Sequence, residues 1–222
     1  MKRRTLDLLL IVGGVLIAAL LVVLGLVMRN NADFAKSYVR NQLSQQQITF
    51  TPASALAEPE KASSCLIKYA GTPLDSGKKA ECYANDYIGL HLRESATGAG
   101  QDGATYATLG GVQREVKGRL TAATDAGQPT TAIQAELDKV NGLRETMFKG
   151  ETLRGLLLTS YGFSVFGEKG DLAATVSLLA AAVLLLAVLA GLVHFLKTPS
   201  DPMVPETVGH TDTATDKTLS KV

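Results

Sequence analysis

Hydrophobic positions in this chain gather into two uncharged runs, Leu8 to Met28 and Leu172 to Leu196, and the stretch between them is largely polar. Each run exceeds the roughly 20 residues that a helix needs to cross a hydrocarbon core of about 30 Å. Buried helices of soluble domains are usually shorter and striped, whereas these two are apolar all round. The pattern predicts an all-α membrane protein: two transmembrane helices flanking a mainly helical extracytoplasmic domain. Its expected parts are a cytoplasmic N-terminus over 1–7, a first transmembrane helix over 8–28 and an extracytoplasmic helical domain over 29–150. An apolar juxtamembrane segment and turn over 151–171 follow, then a second transmembrane helix over 172–196 and a disordered cytoplasmic tail over 197–222.

Between the runs the apolar spacing predicts further helices. The first span continues outward through Ala32 to Gln46, with Phe34, Tyr38 and Leu43 on a stripe. Ile48 to Phe50 is a short β-favouring stretch ended by Pro52, and a loop punctuated by Pro59, Gly71, Pro73 and Gly77 follows. Lys78 to Glu94 reads as a helix with Tyr83, Tyr87, Leu90 and Glu94 on one face. Another runs from about Thr105 to Thr124 on Leu109, Val112, Val116 and Leu120. After Gly127-Gln128-Pro129, Thr131 is the expected N-cap of a fourth, with Gln134 as its capping-box partner. That helix presents Ile133, Leu137, Val140 and Met147. The segment Leu153 to Phe166 is too apolar for an exposed loop and short for a span. It suits a stretch at the membrane interface or under the outer domain, with Gly167 to Asp171 as a turn; one long bent helix from Thr152 onward is the alternative.

Composition adds where the domain sits and what it does not bind. Residues 29–171 hold 16 Lys or Arg and 16 Asp or Glu. That balance gives no basic footprint for nucleic acid. The first run is too long for the core of a cleaved signal peptide and lacks a small-x-small cleavage site, so it reads as a signal anchor. Lys2, Arg3 and Arg4 favour a cytoplasmic N-terminus. The only two cysteines, Cys65 and Cys82, lie in the central stretch. An isolated pair at this separation suits a disulfide outside the reducing cytosol. Both termini are therefore expected in the cytoplasm of a multi-pass cell-membrane protein.

Candidate chemistry is sparse. Three histidines, His91, His194 and His210, occur without HExxH, CxxC or paired His-carboxylate spacing, and no P-loop, GxSxG or GxGxxG is present. No catalytic, cofactor-binding or metal-ligating residues are expected, and His91, near Asp86 and Glu94, reads as a surface or packed side chain. In the second span Ala173, Ser177 and Ala181 recur every four residues, with Ala180, Ala187 and Gly191 near the same face. Small residues let helix backbones approach closely in lipid. This stripe would serve a dimer, a partner helix or the first span, where Gly13, Gly14 and Ala18 could supply the other side.

Thr105-Tyr106-Ala107-Thr108-Leu109, preceded by Ala84 to His91, resembles the A-x-x-I…H…TYAEL core of an uncharacterised family of actinobacterial two-span membrane proteins. Leu153 to Ser160, on to Gly167, is similar to the LRASLFTS…FG block those proteins carry before their last span. The resemblance implies architecture and lineage. Members are often described as aromatic ring-opening dioxygenases, but this sequence carries no iron-ligand constellation, and its cysteine pair and the stretch from Val112 to Asn141 depart from the pattern. The expected function is non-enzymatic: an envelope interaction or accessory protein acting through its outer domain. Its expected partners are the lipid bilayer and a homo-oligomer or envelope protein. The alternative is an oligomeric channel-like subunit or a surface-polysaccharide chain-length regulator.

Overall fold

The computed structural model describes residues 3–198. The tail read as disordered lies, but for its first two residues, outside that range, as does His210. Among the described residues the fold is helical, and its one β feature is an isolated antiparallel bridge between Thr49 and Pro73. The helices are α1 (Arg3–Gln45), α2 (Glu58–Lys61), α3 (Ser64–Tyr69), α4 (Gly77–Cys82), α5 (Gly89–Gly98), α6 (Tyr106–Asp125) and α7 (Thr131–Lys197). A 3₁₀ turn occupies Ala53–Ala55, and a π-helical stretch, Tyr83–Ile88, joins α4 to α5. Both α1 and α7 are long and apolar enough to cross a membrane. Residue contacts divide the chain into a unit of Met1–Gly25 with Val176–Val222 and a larger unit, Leu26–Thr175.

The first unit is an antiparallel helix pair. On α1 the inward positions are Ile11, Gly14, Ala18, Leu21 and Gly25; on α7 they are Ser177, Ala181, Leu184, Val188, Gly191 and Phe195. Both series step by three and four residues in turn, the 3.5-residue repeat of a left-handed pair. Large meets small across the seam. A Cβ on Gly14 would lie 2.6 Å from Val188 Cγ2, and one on Gly191 would touch Ile11 Cγ1 at 3.7 Å. Leu10, Leu16, Leu20, Val183 and Leu186 stay exposed, an outward face suited to lipid.

In the larger unit three clusters form the core. The first brings Val39 and Leu43 of α1 together with Phe50, Leu66, Leu74, Ile88 and Leu157 of α7. The second joins Ala96, Leu109, Leu143 and Met147, and the third closes the α6–α7 hairpin with Val116, Leu137 and Val140. Gly127, at φ 65°, supplies the left-handed residue that ends α6. The α6 start is capped by Thr105, whose side chain accepts from Thr108 N–H. Glu151 on α7 accepts from Tyr106 N–H at 2.9 Å, tying that end to its neighbour.

Several expectations are corrected here. The loop from Pro52 to Lys79 contains α2 and α3, with Ser63 capping α3 through Leu66 N–H at 3.2 Å. Thr131 is the first helical residue rather than the cap. Thr130 carries the carbonyl that accepts from Gln134 N–H, while the Gln134 side chain bonds Asp138. The segment 151–171 holds no turn, because α7 runs through it as helix. Two glycines expected to break it instead let α1 approach: a Cβ on Gly167 would stand 3.3 Å from Ala35 Cβ, and one on Gly170 would stand 3.6 Å from Ala32 Cβ. Asp171 is held there by Arg29 at 2.7 Å and Lys36 at 2.6 Å.

One close approach yields a prediction. Gly77, at the start of α4, faces α7 so closely that a Cβ would overlap the Ser164 side chain and lie 3.3 Å from Tyr161 Cα. Overpacking of this kind costs about 1–3 kcal/mol. Gly77→Ala should lower the thermal midpoint of the purified protein, followed by circular dichroism, and adding Ser164→Gly should recover most of the loss. An unchanged midpoint in Gly77→Ala would contradict this packing.

Candidate functional site

The disulfide comes first, because it locks the segment that the local sequence organises least. Cys65 on α3 and Cys82 at the end of α4 are bonded, with Cα atoms 6.0 Å apart and 17 residues of separation. Cys82 is buried and Cys65 half-buried. Asp86 lies beside them, accepting from Ser63 Oγ at 2.9 Å, with a carboxylate oxygen 2.7 Å from Cys65 Sγ. A disulfide sulfur carries no proton, so that last contact is not a hydrogen bond. Among the described residues, Cys65, Cys82 and Asp86 are the one set of three metal-capable side chains that converges. Metal ligation needs thiolates, and both sulfurs are committed to the bond. The geometry is that of a structural clamp.

The π-helical stretch shapes the next feature. An i→i+5 turn takes in more residues per turn than an α-helix, and the inward face runs through Ala80, Cys82, Ala84, Ile88 and Ala96. The expected face of Tyr83, Tyr87, Leu90 and Glu94 therefore splits. Tyr83 and Tyr87 stack at 4.6 Å and pack on the first cluster, Leu90 is half-buried, and Glu94 points outward. His91 continues the tyrosine ridge, edge-on to Tyr87 at 4.6 Å. Its Nε2 is 2.9 Å from Glu60 and its Nδ1 3.2 Å from Glu94. Asp86, the expected neighbour of His91, engages Ser63 instead.

Glu60 escaped sequence reasoning. It is 5% exposed, and its second oxygen accepts from Ala57 N–H at 2.8 Å. The signal was present in Glu58-Pro59-Glu60, since proline and acidic residues favour a helix start. Burial, with the nearby Tyr87 and Glu60, pushes the Tyr83 phenol up to about 12. Because the raised value favours the neutral form, this contribution to stability is complete below pH 10 and lost as pH rises through 12. The ultraviolet difference titration between the native protein and Tyr83→Phe should show a phenol ionising near 12. Ionisation at about 10 would contradict the buried placement.

A groove of about 450 Å³ lies in the larger unit, between residues 38–48 and residues 153–163. Tyr38, Gln42 and Gln46 form one wall, and Leu153, Leu156 and Phe163 the other. None of its lining residues is charged. Tyr38, Leu156 and Phe163 are about half exposed or more, as are Phe34 and Phe166 beyond its edge. Leu157 forms the buried floor of the groove as part of the core, and Arg154 on the same helix reaches Asn85 at 3.2 Å. The sequence flagged Leu153 to Phe166 as anomalous but could not show which of its side chains the fold leaves uncovered.

The small-residue stripe divides. Ala181 is buried in the helix-pair unit and Ser177 is half-buried there; Ala173 belongs to the larger unit and is half-buried beside the fully buried Ala174. Ala180 and Ala187, expected near the same face, are exposed. A strict four-residue step turns 40° past each full turn of a helix at 3.6 residues per turn, so it leaves a seam that the alternating three-and-four series keeps. His194 is exposed at the end of α7.

No protein-family model, curated protein or solved structure matches this chain.

Proposed function

We propose that this protein is an integral membrane protein of the cell envelope that acts without catalysis, binding another envelope component through a helical domain outside the cytoplasm. The observation that carries the reading is the uncharged groove of Tyr38, Leu156 and Phe163, exposed on a unit otherwise cored and charged like a soluble domain. Contiguous apolar surface of this kind marks interaction sites.

The placement has separate support. Both α1 and α7 could span a membrane, and the Cys65–Cys82 disulfide lies between them in the sequence. Disulfides persist outside the reducing cytosol. With two spans, both termini are then cytoplasmic and the bilayer is the first partner. The resemblance block from Leu153 to Gly167 fits a shared architecture with actinobacterial two-span proteins and assigns no chemistry.

A photo-crosslinking residue at Tyr38, activated in native membranes, tests the interaction. A reproducible covalent adduct, identified by mass spectrometry, is the expected result. A chain that stays a solitary monomer from this position would overturn the reading.

A further inference from the structure

A cavity between α5 and α7 in the larger unit is walled on one side by positive charge that nothing in the fold answers. It measures about 590 Å³, within the range that small ligands occupy. None of its lining residues is shared with the uncharged groove. Gly89 opens α5, Arg93 stands one turn later on the same face, and Arg154 reaches across from α7. A Cβ placed on Gly89 would lie 3.5 Å from Arg93 Nη1 and 3.7 Å from Arg154 Nε. Both guanidinium groups therefore converge on the space that this glycine leaves open.

Charges of one sign held close together disfavour one another. Yet among the described residues neither arginine has a carboxylate within ion-pair range. Arg154 spends one nitrogen on Asn85 at 3.2 Å, and its Nε is buried without a partner. A buried donor left unpaired is costly, and its persistence in a native fold calls for an occupant. Glu151 is the one carboxylate in the lining, and it accepts from Tyr106 N–H instead. Arg144 also has an unpartnered Nε, but its guanidinium lies over the Tyr106 ring at 4.4 Å and donates to Gln113 at 2.6 Å.

We propose that this cavity binds a phosphoryl group carried on a small apolar body, held by Arg93 and Arg154 over Gly89. One arginine fork already engages both oxygens of a carboxylate. Two forks converging on one point suit a phosphate monoester, which brings three acceptor oxygens and a charge of about −1.5 to −2 at neutral pH. Gly89 contributes room rather than a donor, because its N–H is spent on the Ala84 carbonyl. Leu92 and Leu158, also in the lining, are half-buried and give the apolar body a surface. A Cβ on Gly150 would stand 2.5 Å from Leu92 Cδ2, so α5 is seated tightly on α7 and the two arginines face a short gap. The site goes beyond the function proposed above and needs neither the groove's partner nor the membrane placement.

Isothermal titration calorimetry of the purified full chain in detergent micelles, with phenyl phosphate as the probe, tests this. Saturable binding of one equivalent is expected, at least tenfold tighter than that of benzoate, which carries a carboxylate on the same ring. Gly89→Ala puts a methyl group between the guanidiniums at ordinary contact distances. It should weaken binding at least tenfold while the circular dichroism melt of the ligand-free protein does not fall, since alanine favours a helix over glycine. Arg93→Gln, at an exposed position, should weaken binding as much, and Lys117→Gln, which removes an exposed charge from α6, should leave it within twofold. Dihexanoyl phosphatidate separates the sources: binding at least tenfold tighter than phenyl phosphate assigns the group to a lipid, and equal or weaker binding assigns it to a soluble ester. No saturable binding of either ester, or binding unchanged in both Gly89→Ala and Arg93→Gln, would overturn the proposal. An equal loss in Lys117→Gln would mean attraction by bulk charge and overturn it too. Benzoate binding as tightly as phenyl phosphate would overturn the phosphoryl assignment.

Discussion

Phe50→Ala should be the most damaging single substitution in the larger unit, costing about 3–5 kcal/mol as large-to-small changes at buried aromatics do. Phe50 is 2% exposed and is among the bulkiest of the fully buried side chains. It makes an edge-to-face pair with Tyr83 at 5.3 Å and a tilted pair with Tyr69 at 5.7 Å. Such aromatic pairs add about 0.5–1.5 kcal/mol beyond area burial. Its backbone is pinned too, donating to Thr72 at 3.0 Å and accepting from Gly71 at 3.2 Å. The side chain cannot swing away and the cavity cannot readily close. Its cluster unites Leu43 of α1, Leu66 of α3, Ile88 and Leu157 of α7, so one vacancy loosens several elements together. At about 2–4 °C per kcal/mol for a protein of this size, the melting midpoint should fall by roughly 10 °C. Phe50→Leu should recover a large part of that. A shift in Phe50→Ala no greater than that of an exposed control such as Ile67→Ala would contradict this account of the core.

Loss of the disulfide should come next. Closing a loop of about 18 residues restricts the unfolded chain by about 3 kcal/mol in the chain-entropy model. Here the closed segment runs from α3 to the end of α4, where organisation depends on short helices and their caps. Serine caps at Ser63 and Ser76 start α3 and α4, but helices of six residues are not stable alone. The Cys65→Ala/Cys82→Ala double variant should therefore melt about 6–12 °C lower, again at 2–4 °C per kcal/mol. Its hydrogen exchange should rise first between residues 64 and 82, with the α6–α7 hairpin retaining its protection. Dithiothreitol should shift the native protein equally and leave the double variant unmoved. A reducing agent without effect on the native melt would contradict a structural role.

What the sequence revealed, and what it concealed, follows from which forces are local. The two apolar runs were legible because length and lack of charge suffice to identify a helix able to span a bilayer. Helix α6 was legible through apolar spacing, with Leu109 and Val116 buried as its pattern requires. The short helices α2 and α3 were not, because contacts distant in sequence hold them: the disulfide, Ser63 with Asp86 and Glu60 with His91. The stretch Gly167 to Asp171 misled for the opposite reason. Local propensity there favours a turn, but Ala32 and Ala35 pack against its glycines, and Arg29 and Lys36 hold Asp171. The π-helical stretch has no periodic signature of its own, so the face that follows it was displaced. For the site, the sequence marked the apolar surplus at Leu153 to Phe166. It could not divide Leu157, which is buried in the core, from Leu156 next to it, which stays exposed.

The central claim is a domain outside the cytoplasm between two spans, and side-specific thiol labelling of intact cells tests it most directly. A membrane-impermeant maleimide should label Lys117→Cys on α6 in intact cells, while a cysteine appended after Val222 should react only after lysis. Labelling of the appended cysteine in intact cells, with Lys117→Cys protected until lysis, would contradict the account.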